Sequence, residues 1–244
     1  IAEFAQGFPQ MAVLIAQARL DNDPNLGSLT DDVIAEKLLW SNSNPQNDKD
    51  EKILKSCALF NTFGMDQEAS SEYEFISSKI SAVPISEFFD CIQRFTERGI
   101  IDRRGRYAQL IPKPLAIRLA AQWWKRTHEQ DQTELINSLP ESLVESFCKQ
   151  IEKLDFLPEV KGLTATLCGQ QGPFGQAEVI LSNRGSRLFR SFVNVNPDAT
   201  NSSLTRILKN KPYEELLGIN GDVRRNIVWA LENLCFHAHL FEDA

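Results

Sequence analysis

Across its 244 residues the sequence carries no Gly-x-x-x-x-Gly-Lys-Ser/Thr loop, no Gly-x-Ser-x-Gly turn and no His-Glu-x-x-His pair. Such patterns cradle nucleotide phosphates, present a nucleophilic serine or hold zinc beside a general base. Paired carboxylates in an apolar stretch are also missing, so no enzymatic activity is expected of this chain taken alone. No apolar run reaches the roughly 18 residues of a membrane span, and no signal peptide is visible. A cytoplasmic chain without a membrane partner is expected. Basic residues are in the minority, 26 against 33 acidic ones, which leaves a formal charge of −7 and a pI of about 5.1. That balance disfavours a dedicated nucleic-acid binder, whose domain usually carries a basic face. The three histidines offer little metal chemistry. His128 stands alone, and in Cys235-x-His237-x-His239 only Cys235 and His239 share a helical face, with no fourth ligand near.

What is present points to a helical protein with a genuine core. Hydrophobic residues make up 42% of the chain, enough for one large domain or two to three small ones. The five cysteines are odd in number and widely spaced, several of them inside apolar helical patterns. Reduced, buried thiols are expected rather than a disulfide framework. The chain opens on Ile1 and closes on Ala244 inside patterns that read as continuing helices, so a piece of a longer protein is expected.

Three segments follow from the punctuation. Residues 1–44 read as a helical subdomain. In it Gly7-Phe8-Pro9 makes a turn, and Pro9 suits the first turn of the helix MAVLIAQARL, where a missing N–H costs nothing. Asp31 and Asp32 favour the start of VIAEKLLW. The polar stretch SNSNPQNDKD is a boundary. Residues 45–127 form a compact unit: a helix over 51–64 stopped by Gly64, a second over 73–80, and a third opened by Pro84. The third helix turns Phe88, Phe89, Ile92 and Phe95 inward. After Gly99 two short apolar strands flank the basic turn Arg103-Arg104-Gly105-Arg106 and must pair antiparallel. Pro112-Lys113-Pro114 then launches an exit helix. Helix, hairpin, helix is the back half of a winged helix. From 128 to 244 the pattern is all helix, with segments over 131–138, 140–154, 159–168, 177–192, 200–209, 212–217 and 222–241. Short turns between them suggest an α-solenoid-like array, although no strict repeat period is found. The fold class expected is therefore mainly α, a winged-helix domain with a small β-hairpin followed by a helical array.

Arg98, Arg103, Arg104 and Arg106 crowd the hairpin and could meet phosphates or a partner domain. A DNA role would send the third helix into the major groove. That helix carries Glu87, Asp90 and Glu97 against Arg94 and Arg98, and offers few base-reading side chains, so DNA is disfavoured. Lys113 sits at a helix start, where free backbone N–H groups attract anions, and the two prolines stiffen its backbone.

Taken together, these stretches resemble the back half of a STAND-type NTPase, a multidomain signalling ATPase. GFPQMAVLIAQA resembles that family's Gly-x-Pro turn and helix, residues 51–127 its winged helix, and residues 128–244 the beginning of its superhelical sensor. RRNIVWALENLCFHAHLFEDA and RGSRLFRSFVNVNPDA look like the repeat region of large bacterial antiviral members. The resemblance implies that Pro9, shaped by Gly7, packs near an adenine. It also implies that Lys113 occupies the position of a histidine that touches the β-phosphate of ADP. Pro112-Lys113-Pro114 stands where relatives carry Met-His-Asp, and a lysine can still hold phosphate as a point charge. The implied cofactor is ADP or ATP, bound with the help of a P-loop domain on another stretch, and the implied partner is a protein ligand on the helical array. A winged-helix transcriptional regulator and a helical adaptor without ligand are the competing readings.

Overall fold

The computed structural model describes Leu39 and residues 48–209 and 211–241. The fold is mainly helical, with one small antiparallel sheet. Two compact units divide at residues 123 and 124, inside a helix that the sequence pattern assigns wholly to the 45–127 segment.

In the first unit, α1 (Asp48–Cys57) opens with Asp48, Asp50 and Glu51 in its first turn, which suits the positive end of the helix dipole. Ile53, Leu54 and Cys57 are fully buried. The helix ends there, seven residues short of the expected stop at Gly64. Phe63 and Gly64 instead form strand β1 (Phe63–Gly64), opposite Ala108 and Tyr107. Two features require this. The Gly64 N–H donates to the buried Glu72 carboxylate at 2.8 Å, and a Cβ on Gly64 would fall 2.1 Å from the Ala69 Cβ. The second helix winds unevenly: a 3-10 turn (Gln67–Ala69), α2 (Ser70–Glu74) and a π-helical stretch (Phe75–Ile80). The π stretch packs against both α1 and the third helix. Three consecutive residues, Phe75, Ile76 and Ser77, can therefore all be covered.

Helix α3 (Ile85–Glu97) follows Pro84 and buries Phe88, Cys91, Ile92 and Phe95, a four-residue stripe at helical spacing. Phe89 is half-buried and packs edge-on to Tyr73 at 5.1 Å. The helix closes through Ile100 N–H to Phe95 O at 2.9 Å, the six-to-one bond of a Schellman end. Strands β2 (Ile101–Arg104) and β3 (Tyr107–Leu110) then pair antiparallel, Arg104 opposite Tyr107. Gly105 carries the positive φ, 60°, at the first position of the two-residue turn, as type II′ geometry demands. The sheet order is β1-β3-β2. Helix α4 (Lys113–Arg126) leads out. Phe63 meets Phe88 at 6.5 Å between sheet and helix, and burying each such ring contributes on the order of 1.5–3 kcal/mol.

In the second unit Trp124, at the end of α4, is buried 6.3 Å from Phe147. Gln132 of α5 (Glu129–Ser138) donates to the carbonyls of Trp124 (2.7 Å) and Thr127 (2.8 Å). It satisfies acceptors that the end of α4 leaves free. There follow α6 (Glu141–Ile151), prolonged by a 3-10 turn (Glu152–Leu154), and α7 (Pro158–Cys168). After the 3-10 turn Pro173–Gly175 come α8 (Ala177–Ile180) and α9 (Asn183–Phe192), in place of the single helix expected over 177–192. The break is local: Ser182 Oγ accepts from Gly185 N–H at 3.0 Å and starts a new helix. Then come α10 (Pro197–Leu208), α11 (Tyr213–Leu217) and α12 (Gly221–Cys235). The last ends six residues before the expected limit at 241, so the helical-face relation drawn for Cys235 and His239 does not apply; His239 Nε2 lies 3.0 Å from Asp198 Oδ1.

The helices of this unit pack in alternation. α5 touches α7 and α7 touches α10, while α6 touches α9 and α9 touches α12. Arg184 and Arg206 tie the ends, donating to the carbonyls of Ile136 (3.0 Å) and Cys168 (2.9 Å). No helix among the described residues is long and apolar enough to cross a membrane.

Candidate functional site

Gly7 and Pro9, the expected adenine contacts, lie outside the described residues. Lys113 is exposed at the first position of α4, with Pro112 and Pro114 on either side both buried. The prolines anchor the turn in the core while the ammonium points outward. Pro112 O accepts from Leu115 N–H at 3.0 Å and so begins the helix.

The hairpin arginines differ from one another. Arg104 Nε donates to Asp102 Oδ2 at 2.7 Å, and Gln109 across the sheet donates to the same oxygen at 3.2 Å. Arg106 pairs with Glu68 at 2.8 Å and lies 5.4 Å from the Tyr107 ring. Arg103 is exposed and forms no ion pair among the described residues. Arg98 covers the Phe95 ring at 4.9 Å; burial holds its guanidinium below the ordinary arginine range, against the charge of Asp50. Two of the three turn arginines are thus already neutralised within the unit.

On α3 the charges are likewise engaged. Lys49 reaches Glu87 at 2.7 Å, and Arg94 donates to Asp50 at 2.5 Å. Burial, with the Asp50 charge beside it, pushes the Cys91 thiol well up.

A second site, absent from the sequence reading, lies in the second unit. One face each of α6, α9 and α12 lines an open groove of about 480 Å³. Glu141 and Glu145 come from α6 at an i, i+4 spacing. Asn183, Arg187 and Arg190 come from α9 at i, i+4, i+7. Asp222, Arg225, Asn226 and Trp229 come from α12. These spacings put each set on one helical face, and they were open to view in the sequence. Only the packing of α9 against both α6 and α12 brings them together.

The groove is cross-linked. Arg184 and Arg187 both reach Glu141, and Arg225 reaches Asp222 at 3.2 Å. Arg190 Nη1 donates to Asn226 Oδ1 at 3.0 Å, and its guanidinium lies 4.8 Å from the centre of the Trp229 ring. Asn226 is itself fixed by donating to Ser186 Oγ at 3.0 Å. Burial pushes the Glu152 carboxyl up, with Arg190 opposing.

Among the described residues no cluster of histidine, cysteine and carboxylate groups could hold a metal ion. No family model, no curated protein and no solved structure matches this chain.

Proposed function

We propose that the chain is the regulatory and sensor portion of a STAND-type signalling ATPase of the antiviral kind, working in the cytoplasm. Residues 45–127 act as a winged helix, and residues 128–244 begin an α-solenoid-like array that receives a protein ligand. The observation that carries the reading is the sheet order β1-β3-β2 inside the succession α1, β1, α2, α3, β2, β3, followed through one continuous helix, α4, by alternating helices. The stacking of α5 on α7 on α10 and of α6 on α9 on α12 supports the two-layer array.

In this reading a P-loop core elsewhere in the protein binds ADP. The winged helix closes over it, with Lys113 at the α4 N-terminus near the phosphates, and the array biases a closed against an open state. A ligand drives that change only through different affinity for the two states. The experiment is Lys113→Ala in the protein that includes the P-loop segment. Faster ADP loss and raised basal signalling are expected. Unchanged ADP retention overturns the phosphate role, and salt-dependent binding of a DNA duplex by residues 1–244 would favour a transcriptional regulator instead.

A further inference from the structure

We propose that the groove crossing α6, α9 and α12 binds an extended peptide segment, with a carboxylate seated on Arg190 and an apolar side chain laid against Trp229. Arg190 is half-buried, yet it has no carboxylate within ion-pair distance among the described residues, whereas Arg184, Arg187 and Arg225 each have one. Its orientation is fixed in advance by Asn226 on one side and the Trp229 ring on the other. A guanidinium has five N–H donors in a rigid fork, and the bond to Asn226 leaves several for a ligand. A planar fork held in this way is suited to bidentate capture of a carboxylate. Trp229 is 43% exposed, so part of its ring is uncovered.

The charges of the groove select the ligand class. Glu141, Glu145 and Asp222 balance Arg187, Arg190 and Arg225, so a polyphosphate or a nucleic-acid strand would meet as many carboxylates as cations. A single carboxylate engages only Arg190, the lining arginine without an ion pair among the described residues. The groove volume is in the range that holds a small ligand or a few residues of chain. The surface pair Arg225 and Asp222 is exposed on both sides and worth about 0–1 kcal/mol, so it can yield to a peptide at little cost.

This inference rests on the helical-array half of the proposed function and not on its nucleotide half. The test is a random dodecapeptide phage library panned on the chain, counter-selected on Arg190→Ala and Trp229→Ala. Synthetic consensus peptides are then titrated by fluorescence polarisation. An enriched motif placing Asp or Glu beside an aromatic or aliphatic residue is expected, with affinity about tenfold or more lower on either variant. Arg190→Lys should recover little, because it keeps the charge and loses the fork. Arg225→Glu, at an exposed position, reports on the groove should Arg190→Ala unfold, and it should also weaken binding. Peptides that bind wild type and variants equally, a motif without a carboxylate, or no enrichment at all would overturn the proposal. So would Arg190-dependent binding of ATP or RNA in place of peptide. Because panning needs no nucleotide, its failure is separable from a failure of Lys113→Ala to alter ADP retention.

Discussion

The Glu72 carboxylate accepts the Gly64 N–H at 2.8 Å in the interior of the first unit. Glu72 is only 6% exposed, and its contact fixes a strand of just two residues to the helix that follows it. Gly64→Ala should destabilise by about 1–3 kcal/mol, since the added methyl must displace Ala69. Glu72→Ala strands a buried N–H and should cost about 1–3 kcal/mol, whereas Glu72→Gln keeps an acceptor and should cost less. Urea unfolding of the three variants checks the order.

Ala82 has φ 53°, a left-handed conformation that costs a residue with a Cβ roughly 1 kcal/mol. It lies between the π-helical stretch and α3, where Val83 N–H donates back to Ser77 O at 2.9 Å. Ala82→Gly should therefore raise the unfolding free energy by several tenths of a kcal/mol, against the usual direction of such a change. A lower melting temperature would show that the strain is not there.

Burial pushes the Cys148 and Cys168 thiols up to about 12, and raises Cys57 and Cys91 as well. In the unfolded chain these thiols ionise near pH 8.5. Between that value and about 12 the unfolded state has fewer protons bound than the folded one, so stability falls as pH rises through this window. It is fully present below pH 8.5. Cys148→Ala should reduce the alkaline slope by about 1.4 kcal/mol per pH unit, measured by urea titrations at two pH values. In native protein at pH 8 a thiol reagent should label the half-buried Cys235 first.

Arg104 and Arg106 make exposed ion pairs, and such pairs are worth about 0–1 kcal/mol. Alanine at either position should leave the melting temperature nearly unchanged. Because these charges are matched by Asp102 and Glu68, residues 1–244 should not shift a DNA duplex at physiological salt. A shift that weakens steeply with salt would count against the nucleotide-lid reading.

Local signals were enough wherever an element depends on its own residues. The apolar stripe Phe88, Ile92, Phe95 and the Pro84 start identify α3, and Arg103-Arg104-Gly105-Arg106 identifies the hairpin, although strand β2 runs on through Arg104 and the turn itself is Gly105-Arg106. The start of α9 is equally local, since Ser182 carries its cap, although the pattern over 177–192 is expected to form one helix. Strand β1 was not legible, because Phe63 and Gly64 are a strand only by virtue of β3 and Glu72, which lie more than forty and eight residues away.

The sequence by itself determined a mainly helical chain, the start and apolar stripe of α3, the hairpin and, Cys235 apart, the burial of the thiols, since periodicity and turn chemistry act over a few residues. Tertiary structure alone decided the three-stranded sheet and its order, the pairing of Arg106 with Glu68, and the groove that brings Arg190 to Asn226 and Trp229. Those relations join residues distant along the chain, and their partners are chosen by packing, on which a local pattern carries no information.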